Sequence, residues 1–137
     1  MIRLSWDEYF LRMADTASLR ADCTRRKCGA ILVSADNRII SSGFNGAPSG
    51  AFGCLTDNAC PRGQMSYDEI KAFSSYANCI AIHAEKNAIL WCPPSQRSGT
   101  TLYVNQSPCP DCRVFAANCG IKRIVWPEGE LNGLYEV

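Results

Sequence analysis

The spacing of apolar residues predicts a helix near the start of the chain. Ser5-Trp6-Asp7-Glu8 has the form of a capping box, in which a serine and a glutamate three residues later satisfy the free N–H groups of a helix start. Apolar residues then recur at helical spacing, at Tyr9, Phe10, Met13, Ala14 and Ala17. The pattern predicts a helix over about residues 6–20.

Two short runs rich in β-branched residues follow, and they predict a β-hairpin. The runs are 29–33 (GAILV) and 38–42 (RIISS), with turn residues between them. Beyond them the chain is rich in Gly, Pro, Asn and Cys, so we expect 43–65 to form a long irregular loop. Loops of that length in compact domains are usually functional or are ordered by something external.

The second half of the chain alternates helices with strands. A second capping box at 66–69 predicts a short helix to about residue 77, and further helices are predicted over about 83–91 and 110–118. Strands are predicted over 101–104 and 121–126, whereas the tail from residue 127 is too short to assign. Such alternation indicates one α/β domain over 1–137, with helices packed on the faces of a sheet.

Charge and length narrow the set of partners. The chain has 137 residues, and 14 Lys plus Arg against 13 Asp plus Glu leave a net charge of +1. A protein with this charge balance lacks the excess of basic residues that is typical of polynucleotide binding. The apolar stretches fall far short of the ~20 residues that span a bilayer, and the first residues do not have the pattern of a signal peptide. We expect a cytoplasmic protein that binds neither polynucleotide nor membrane.

The composition stands out in its nine cysteines and single histidine. Nine is an odd number, so the cysteines cannot all form internal disulfides. Clustered cysteines in a reducing cytosol more often bind metal or take part in catalysis than form a disulfide framework.

Two motifs predict the ligands of a zinc ion. His83-Ala84-Glu85 lies at the predicted start of one helix, and Pro108-Cys109-Pro110-Asp111-Cys112 lies at the start of the next. His83, Cys109 and Cys112 would leave the fourth tetrahedral position open for water. The positive ends of helices favour negative charge and should help to hold the two cysteines as thiolates. Zinc lowers the pKa of water to roughly 7, and Glu85 is placed to move a proton from that water to a substrate.

The order H-x-E followed by P-C-x-x-C is the pattern of zinc deaminases, in which the glutamate is the acid and base rather than a ligand. Each piece alone has a simpler interpretation: C-x-x-C also occurs in structural zinc knuckles and redox pairs. The non-enzyme alternative is a binding module stabilised by zinc. Glu85 argues against that alternative, because a structural site needs no carboxylate beside an open coordination position.

Further motifs extend along the chain: W-D-E-Y-F at 6–10, R-A-D-C-T-R-R at 20–26, G-F-N-G-A-P-S-G at 43–50 and H-A-E-K-N-A-I at 83–89. With 103–112 and 120–123, they resemble the deoxycytidylate (dCMP) deaminases of the cytidine deaminase superfamily. The resemblance implies a three-layer α/β/α fold with a five-stranded mixed sheet and a homo-oligomer, either a dimer or a hexamer. It also implies zinc-dependent conversion of dCMP to dUMP and ammonia. A deaminase of another free base, nucleoside or modified cytosine nucleotide is the alternative.

The resemblance also suggests which residues bind substrate. It implies that Asn45 contacts the deoxyribose 3′-hydroxyl, and Ala84 belongs to the same predicted set. Independently, a nucleotide monophosphate needs cationic donors, and residues 25–27 (RRK) form a dense basic cluster near a turn. We therefore predict that Arg25 and Arg26 bind the 5′-phosphate; the alternative is an ordinary solvated run of charge.

The remaining cysteines divide into two groups. Some relatives of this kind carry a second, structural zinc in the long-loop region, and the matching residues here would form a closed four-thiolate site: Cys23, Cys54, Cys60 and Cys79. Such a metal clip would also explain how so long a loop is ordered. The alternative is that they are small buried apolar residues. Cys28, Cys92 and Cys119 lie in or beside predicted regular elements and are predicted to be packing residues.

Overall fold

The computed structural model of the chain describes residues 2–59, 66 and 79–133, and its centre is a five-stranded sheet. The strands are β1 (Gly29–Val33), β2 (Ile39–Phe44), β3 (Thr101–Val104), β4 (Arg123–Trp126) and β5 (Gly129–Asn132). The helices are α1 (Trp6–Ser18), α2 (Ala84–Leu90) and α3 (Pro110–Asn118), with a short 3₁₀ turn at Pro94–Gln96. The sheet order is β2-β1-β3-β4-β5, in which β3 and β4 run parallel and the other neighbours run antiparallel.

Strand β1 lies at the centre of the core and is buried along its whole length. Ala30 and Leu32 point to the face covered by α2 and α3, whereas Ile31 and Val33 point to the face where Phe10 of α1 packs. Successive side chains of a strand point to opposite faces, so a strand buried on both faces is apolar throughout. The predicted three-layer α/β/α fold with a mixed five-stranded sheet is confirmed.

Two glycines let the helices approach the sheet at backbone distance. A Cβ atom at Gly29 would lie 2.0 Å from the carbonyl oxygen of Ala14 in α1. One at Gly43 would lie 2.4 Å from the backbone nitrogen of Ala88 in α2. A side chain at either position would push the helix away, and α2 carries the alanine and glutamate of the H-A-E motif in its first turn.

The described elements agree with the predicted ones, with shifts at their ends. Helix α1 ends at residue 18 rather than 20, the last long strand begins at 123 rather than 121, and the tail after 127 forms β5. The irregular loop starts later than residue 43, because Gly43 and Phe44 pair with β1 and extend β2. The predicted helix over 66–77, apart from Ser66, and residues 60–65 of the loop lie outside the described residues. Within the part of the chain that is described, no helix combines the length and apolar character needed to cross a membrane.

Candidate active site

The two zinc motifs and the basic run lie at the same edge of the sheet, where β1 begins and β3 ends. Strands β1 and β3 are antiparallel, with Ala30 paired to Val104, so the residues before β1 and those after β3 meet at this edge. Helix α3 joins the parallel strands β3 and β4, and its start therefore lies just beyond the end of β3. His83 is the N-cap of α2 and Cys109 is the N-cap of α3.

The predicted ligands come together with the geometry of a zinc site. His83 Nδ1 lies 3.5 Å from Cys109 Sγ and 3.3 Å from Cys112 Sγ. A tetrahedral zinc with ordinary bonds of about 2.05 Å to nitrogen and about 2.3 Å to sulfur separates these two atoms by about 3.6 Å. The backbone N–H of Cys112 also donates to Cys109 Sγ across 3.4 Å, which fixes the C-x-x-C turn. The residues present therefore fit a zinc ion.

Glu85 completes this cluster as its buried carboxylate. One carboxylate oxygen, His83 nitrogen and the two sulfurs all lie within 4.8 Å of one another, and Glu85 is only 5% exposed. Burial raises the pKa of the Cys112 thiol, and the negative charges of Glu85 and Cys109 raise it further. The expected help from the positive end of α3 in holding Cys109 and Cys112 as thiolates stays a prediction. A bound cation would offset the cost of burying the negative charges of these groups so close together.

An ion pair that the sequence did not reveal joins the two helices beside this cluster. Lys86 Nζ lies 2.6 Å from an Asp111 carboxylate oxygen and 5.6 Å from the centre of the Phe115 ring. Lys86 follows Glu85 in the chain, and Asp111 precedes Cys112. The sequence shows that Lys86 and Asp111 lie within or next to the two zinc motifs, but their spacing in the chain does not predict that they form an ion pair.

The basic run lies at the same edge, held from one side by Asn45. We refer to residues 25–28 as the basic segment. The Asn45 side chain is buried; its Nδ2 donates to the Arg26 carbonyl at 3.0 Å and its Oδ1 accepts from the Cys28 N–H at 2.9 Å. The structure thus brings together Asn45 and the exposed residues Arg25 and Arg26, which the sequence predicted separately.

Two amide side chains from the loop after β3 hold the basic segment from the other side. Asn105 and Gln106 both donate to the Lys27 carbonyl, at 3.2 and 3.0 Å. Gln106 Oε1 also accepts from Arg26 Nε at 2.8 Å and Nη2 at 2.6 Å. Sequence reasoning missed both amides, although only Ser107 separates them from the P-C-x-x-C motif.

Cys28 connects the basic segment to the metal cluster. Burial raises the pKa of its thiol to about 11, and Glu85 and Cys109 are among the charges that act on it. The end of the segment therefore lies within electrostatic range of the predicted catalytic carboxylate. Ala84, in contrast, is fully buried in the core cluster beneath the site.

The other cysteines follow the predicted division in part. Cys92 lies in the core, and Cys28 and Cys119 pack against it, as predicted. Cys54 is fully buried and Cys23 and Cys79 are half-buried, whereas Cys60 lies outside the described residues. In the described ranges the grouping of three or more potential metal ligands is the one around His83, and the three described cysteines do not form a second one.

Comparisons with known proteins agree with this geometry. Residues 4–128 match the family model for the cytidine and deoxycytidylate deaminase zinc-binding region. The chain is 45% identical to the deoxycytidylate deaminase of Mycobacterium phage D29, over 93% of this chain and 98% of the relative. It is 38% identical to the deoxycytidylate deaminase of Schizosaccharomyces pombe, over 90% of this chain but only 37% of the relative, which is much longer.

A solved structure shares the architecture. The dCMP deaminase of cyanophage S-TIM5, determined in complex with dCMP and dUMP, superposes with a TM-score of 0.66 at 28% identity, covering 92% of this chain and 83% of that one. Together with the match over residues 4–128 and the near full-length phage relative, this shows that the chain belongs to the cytidine and deoxycytidylate deaminase family.

Proposed function

We propose that residues 1–137 act as one zinc-dependent dCMP deaminase domain, which converts dCMP and water to dUMP and ammonia. One observation carries the proposal: the buried Glu85 carboxylate lies in the same 4.8 Å cluster as a histidine and two cysteines. A site built only for stability would gain nothing from that carboxylate. The names of the phage and yeast relatives favour dCMP as the substrate.

The chemistry divides between the metal and the chain. His83, Cys109 and Cys112 would hold the zinc, which when bound lowers the pKa of a water molecule to roughly 7. Glu85 takes a proton from the attacking water as a C–O bond forms at C4 of the cytosine ring, and gives it to N3. The remaining hydroxyl proton then passes through Glu85 to the exocyclic amine, the C4–N bond breaks, and ammonia leaves as the C4 carbonyl forms.

The basic segment would bind the other end of the nucleotide. Arg25 and Arg26 are exposed at the sheet edge that also carries the metal cluster, which suits contacts with the 5′-phosphate. Asn45 would contact the 3′-hydroxyl through its amide oxygen, since an amide oxygen can accept a second hydrogen bond beside the one from Cys28. Ala84 is fully buried and would contribute only to the shape of the site.

The test is a comparison of substrates. The zinc-loaded protein is offered dCMP, dCTP, CMP, deoxycytidine, cytosine and guanine, and ammonia release is followed. We expect the highest kcat/KM with dCMP. If kcat/KM were higher with a free base, a nucleoside or a methylated or hydroxymethylated dCMP, that compound and not dCMP would be the substrate. Absence of release from every compound, with zinc bound, would favour the binding module.

We also infer a structural zinc held by Cys23, Cys54, Cys60 and Cys79. In its support, Asp22 binds the turn that carries Cys54: its Oδ1 accepts the backbone N–H of Leu55 at 2.6 Å. This contact brings the chain beside Cys23 to the fully buried Cys54. Metal analysis should give two zinc ions per chain, and Cys54→Ser should remove one and lower Tm, whereas Cys119→Ser should remove none. One zinc in the unmodified protein would contradict the inference.

A homo-oligomer, a dimer or a hexamer, is the assembly we propose. The outer sides of α2 and α3 and the residue that follows α2 expose large apolar side chains, of the kind that marks interaction surfaces: Leu90, Trp91, Val114 and Phe115. Light scattering after gel filtration should give a mass of two or six chains, and Trp91→Glu should lower it. We also propose a reducing, cytoplasmic location, because nine cysteines cannot all form internal disulfides and cysteines that bind metal must stay reduced.

A further inference from the structure

The loop after β3 reaches the basic segment through a single side chain that makes three hydrogen bonds. Gln106 Oε1 accepts from two nitrogens of the Arg26 guanidinium, and Gln106 Nε2 donates to the next backbone carbonyl, that of Lys27. We propose that Gln106 is a positioning residue that orients Arg26 toward the 5′-phosphate and so separates nucleotide from nucleoside substrates. This inference rests on the proposed function.

The first argument is geometric. An arginine side chain has many rotatable bonds, and an exposed one, such as Arg26, loses much rotamer freedom when it binds a ligand. Gln106 holds one edge of the guanidinium at 2.6–2.8 Å and fixes the backbone beside it at 3.0 Å. The guanidinium is therefore placed relative to its own backbone before substrate arrives, which lowers the cost of binding.

The second argument concerns the frame in which Gln106 itself is held. It stands three residues before the zinc ligand Cys109, in the loop that leads from β3 into α3. Asn45 holds the same stretch of backbone from the opposite side, at the Arg26 carbonyl and the Cys28 N–H. The position of Arg26 is consequently fixed with respect to the metal end of the site.

The third argument is chemical. The amide oxygen of glutamine accepts hydrogen bonds from arginine but carries no charge. A glutamate at this position would accept the same bonds and would neutralise Arg26, and it would also repel a phosphate. A neutral acceptor orients the guanidinium and leaves its charge available for an anion.

Two variants of Gln106 separate orientation from charge. With Gln106→Ala, KM for dCMP should rise about tenfold, while kcat for dCMP and kcat/KM for deoxycytidine should change less than about twofold. With Gln106→Glu, KM for dCMP should rise further, since the new carboxylate would repel the 5′-phosphate. Ser107→Ala in the same loop is the matched control and should leave both substrates unaffected. In an Arg26→Ala background, Gln106→Ala should add nothing.

Three outcomes would overturn the inference. Equal losses for dCMP and deoxycytidine would make Gln106 a residue that only supports the fold, and an unchanged KM for dCMP would mean that Arg26 needs no partner. A full additional loss in the Arg26→Ala background would mean that Gln106 acts elsewhere. If the unmodified protein deaminated deoxycytidine better than dCMP, the proposed function and this inference would fail together, whereas the first three outcomes leave dCMP deamination intact.

Discussion

The two ends of the site are built in different ways. At the metal end, His83 and Cys109 cap two helices, and their partners Glu85 and Cys112 follow two and three residues later. At the end that we propose for the phosphate, the basic segment is held by amide side chains that lie far away in the chain, at Asn45, Asn105 and Gln106. Local sequence therefore positions the side chains within each half of the metal end, although the sheet brings the two halves together, whereas every contact of the second arrangement joins residues far apart in the chain.

The largest effect should come from the metal end. Glu85→Gln keeps the shape of the side chain and leaves the zinc ligands in place, but removes the group that moves the proton. Turnover of dCMP should fall about 10²- to 10⁴-fold, with zinc content unchanged by metal analysis. Glu130→Gln, in the ion pair with Arg123 on β4, is the matched control and should keep full activity. Loss of zinc together with activity would show that Glu85 supports the metal site instead.

A smaller and more selective effect should come from the phosphate end. Arg26→Ala removes a charged donor, whose hydrogen bonds to an anion contribute about 1.5–3 kcal/mol. We expect kcat/KM for dCMP to fall about 10- to 100-fold, since each 1.4 kcal/mol is about tenfold, and the value for deoxycytidine to stay constant. Equal losses of kcat/KM for dCMP and deoxycytidine would show that Arg26 does not bind the phosphate. The functional distinction between the two ends would then be wrong.

The long-range anchoring can be tested through stability. Asn45→Ala leaves the Arg26 carbonyl and the Cys28 N–H without their amide partner. Loss of a buried partner costs about 1–3 kcal/mol, so the free energy of unfolding in urea should fall by that amount. Asn118→Ala, at the exposed end of α3, should change it little. An unchanged stability for Asn45→Ala would show that the basic segment keeps its conformation without this anchor.

The smallest effect should come from a contact remote from both ends. Bonds from the Arg123 guanidinium, and one from the Tyr103 hydroxyl, hold the pKa of Asp7 below its ordinary value. A lowered folded-state pKa adds stability above the unfolded value of about 3.9, and this stability is lost as the pH falls through the folded-state pKa. Asp7→Asn should therefore lower Tm at pH 7 but hardly at all near pH 2. Because the pair is partly exposed, the change should stay below about 1 kcal/mol, and kcat/KM should not change.

The sequence predicted most of the fold and the whole metal cluster because their signals are local. Apolar spacing located α1, β1 and β3, and the two motifs contain all four residues of the cluster that fits a zinc ion. The tail gave no signal for β5, since its four residues are held mainly by pairing with β4. The bonds of Lys86 to Asp111 and of Gln106 to Arg26 were missed for the same reason: each joins residues far apart in the chain, and polar side chains carry no periodicity that reveals a partner.

The antiparallel pairing of β1 with β3 has a consequence for the length of the substrate. It pairs Ala30 with Val104, four residues after Arg26 and five before Cys109. Under the proposed function, this register sets the distance between the group that binds the phosphate and the group that binds the metal. A slip by one residue would shift one end by about 3.3 Å and turn every β1 side chain to the other face. Inserting one residue between Arg26 and Gly29 would change this distance without disturbing the pairing of β1 with β3. Such a variant offers a route to a deaminase for a nucleotide of different length.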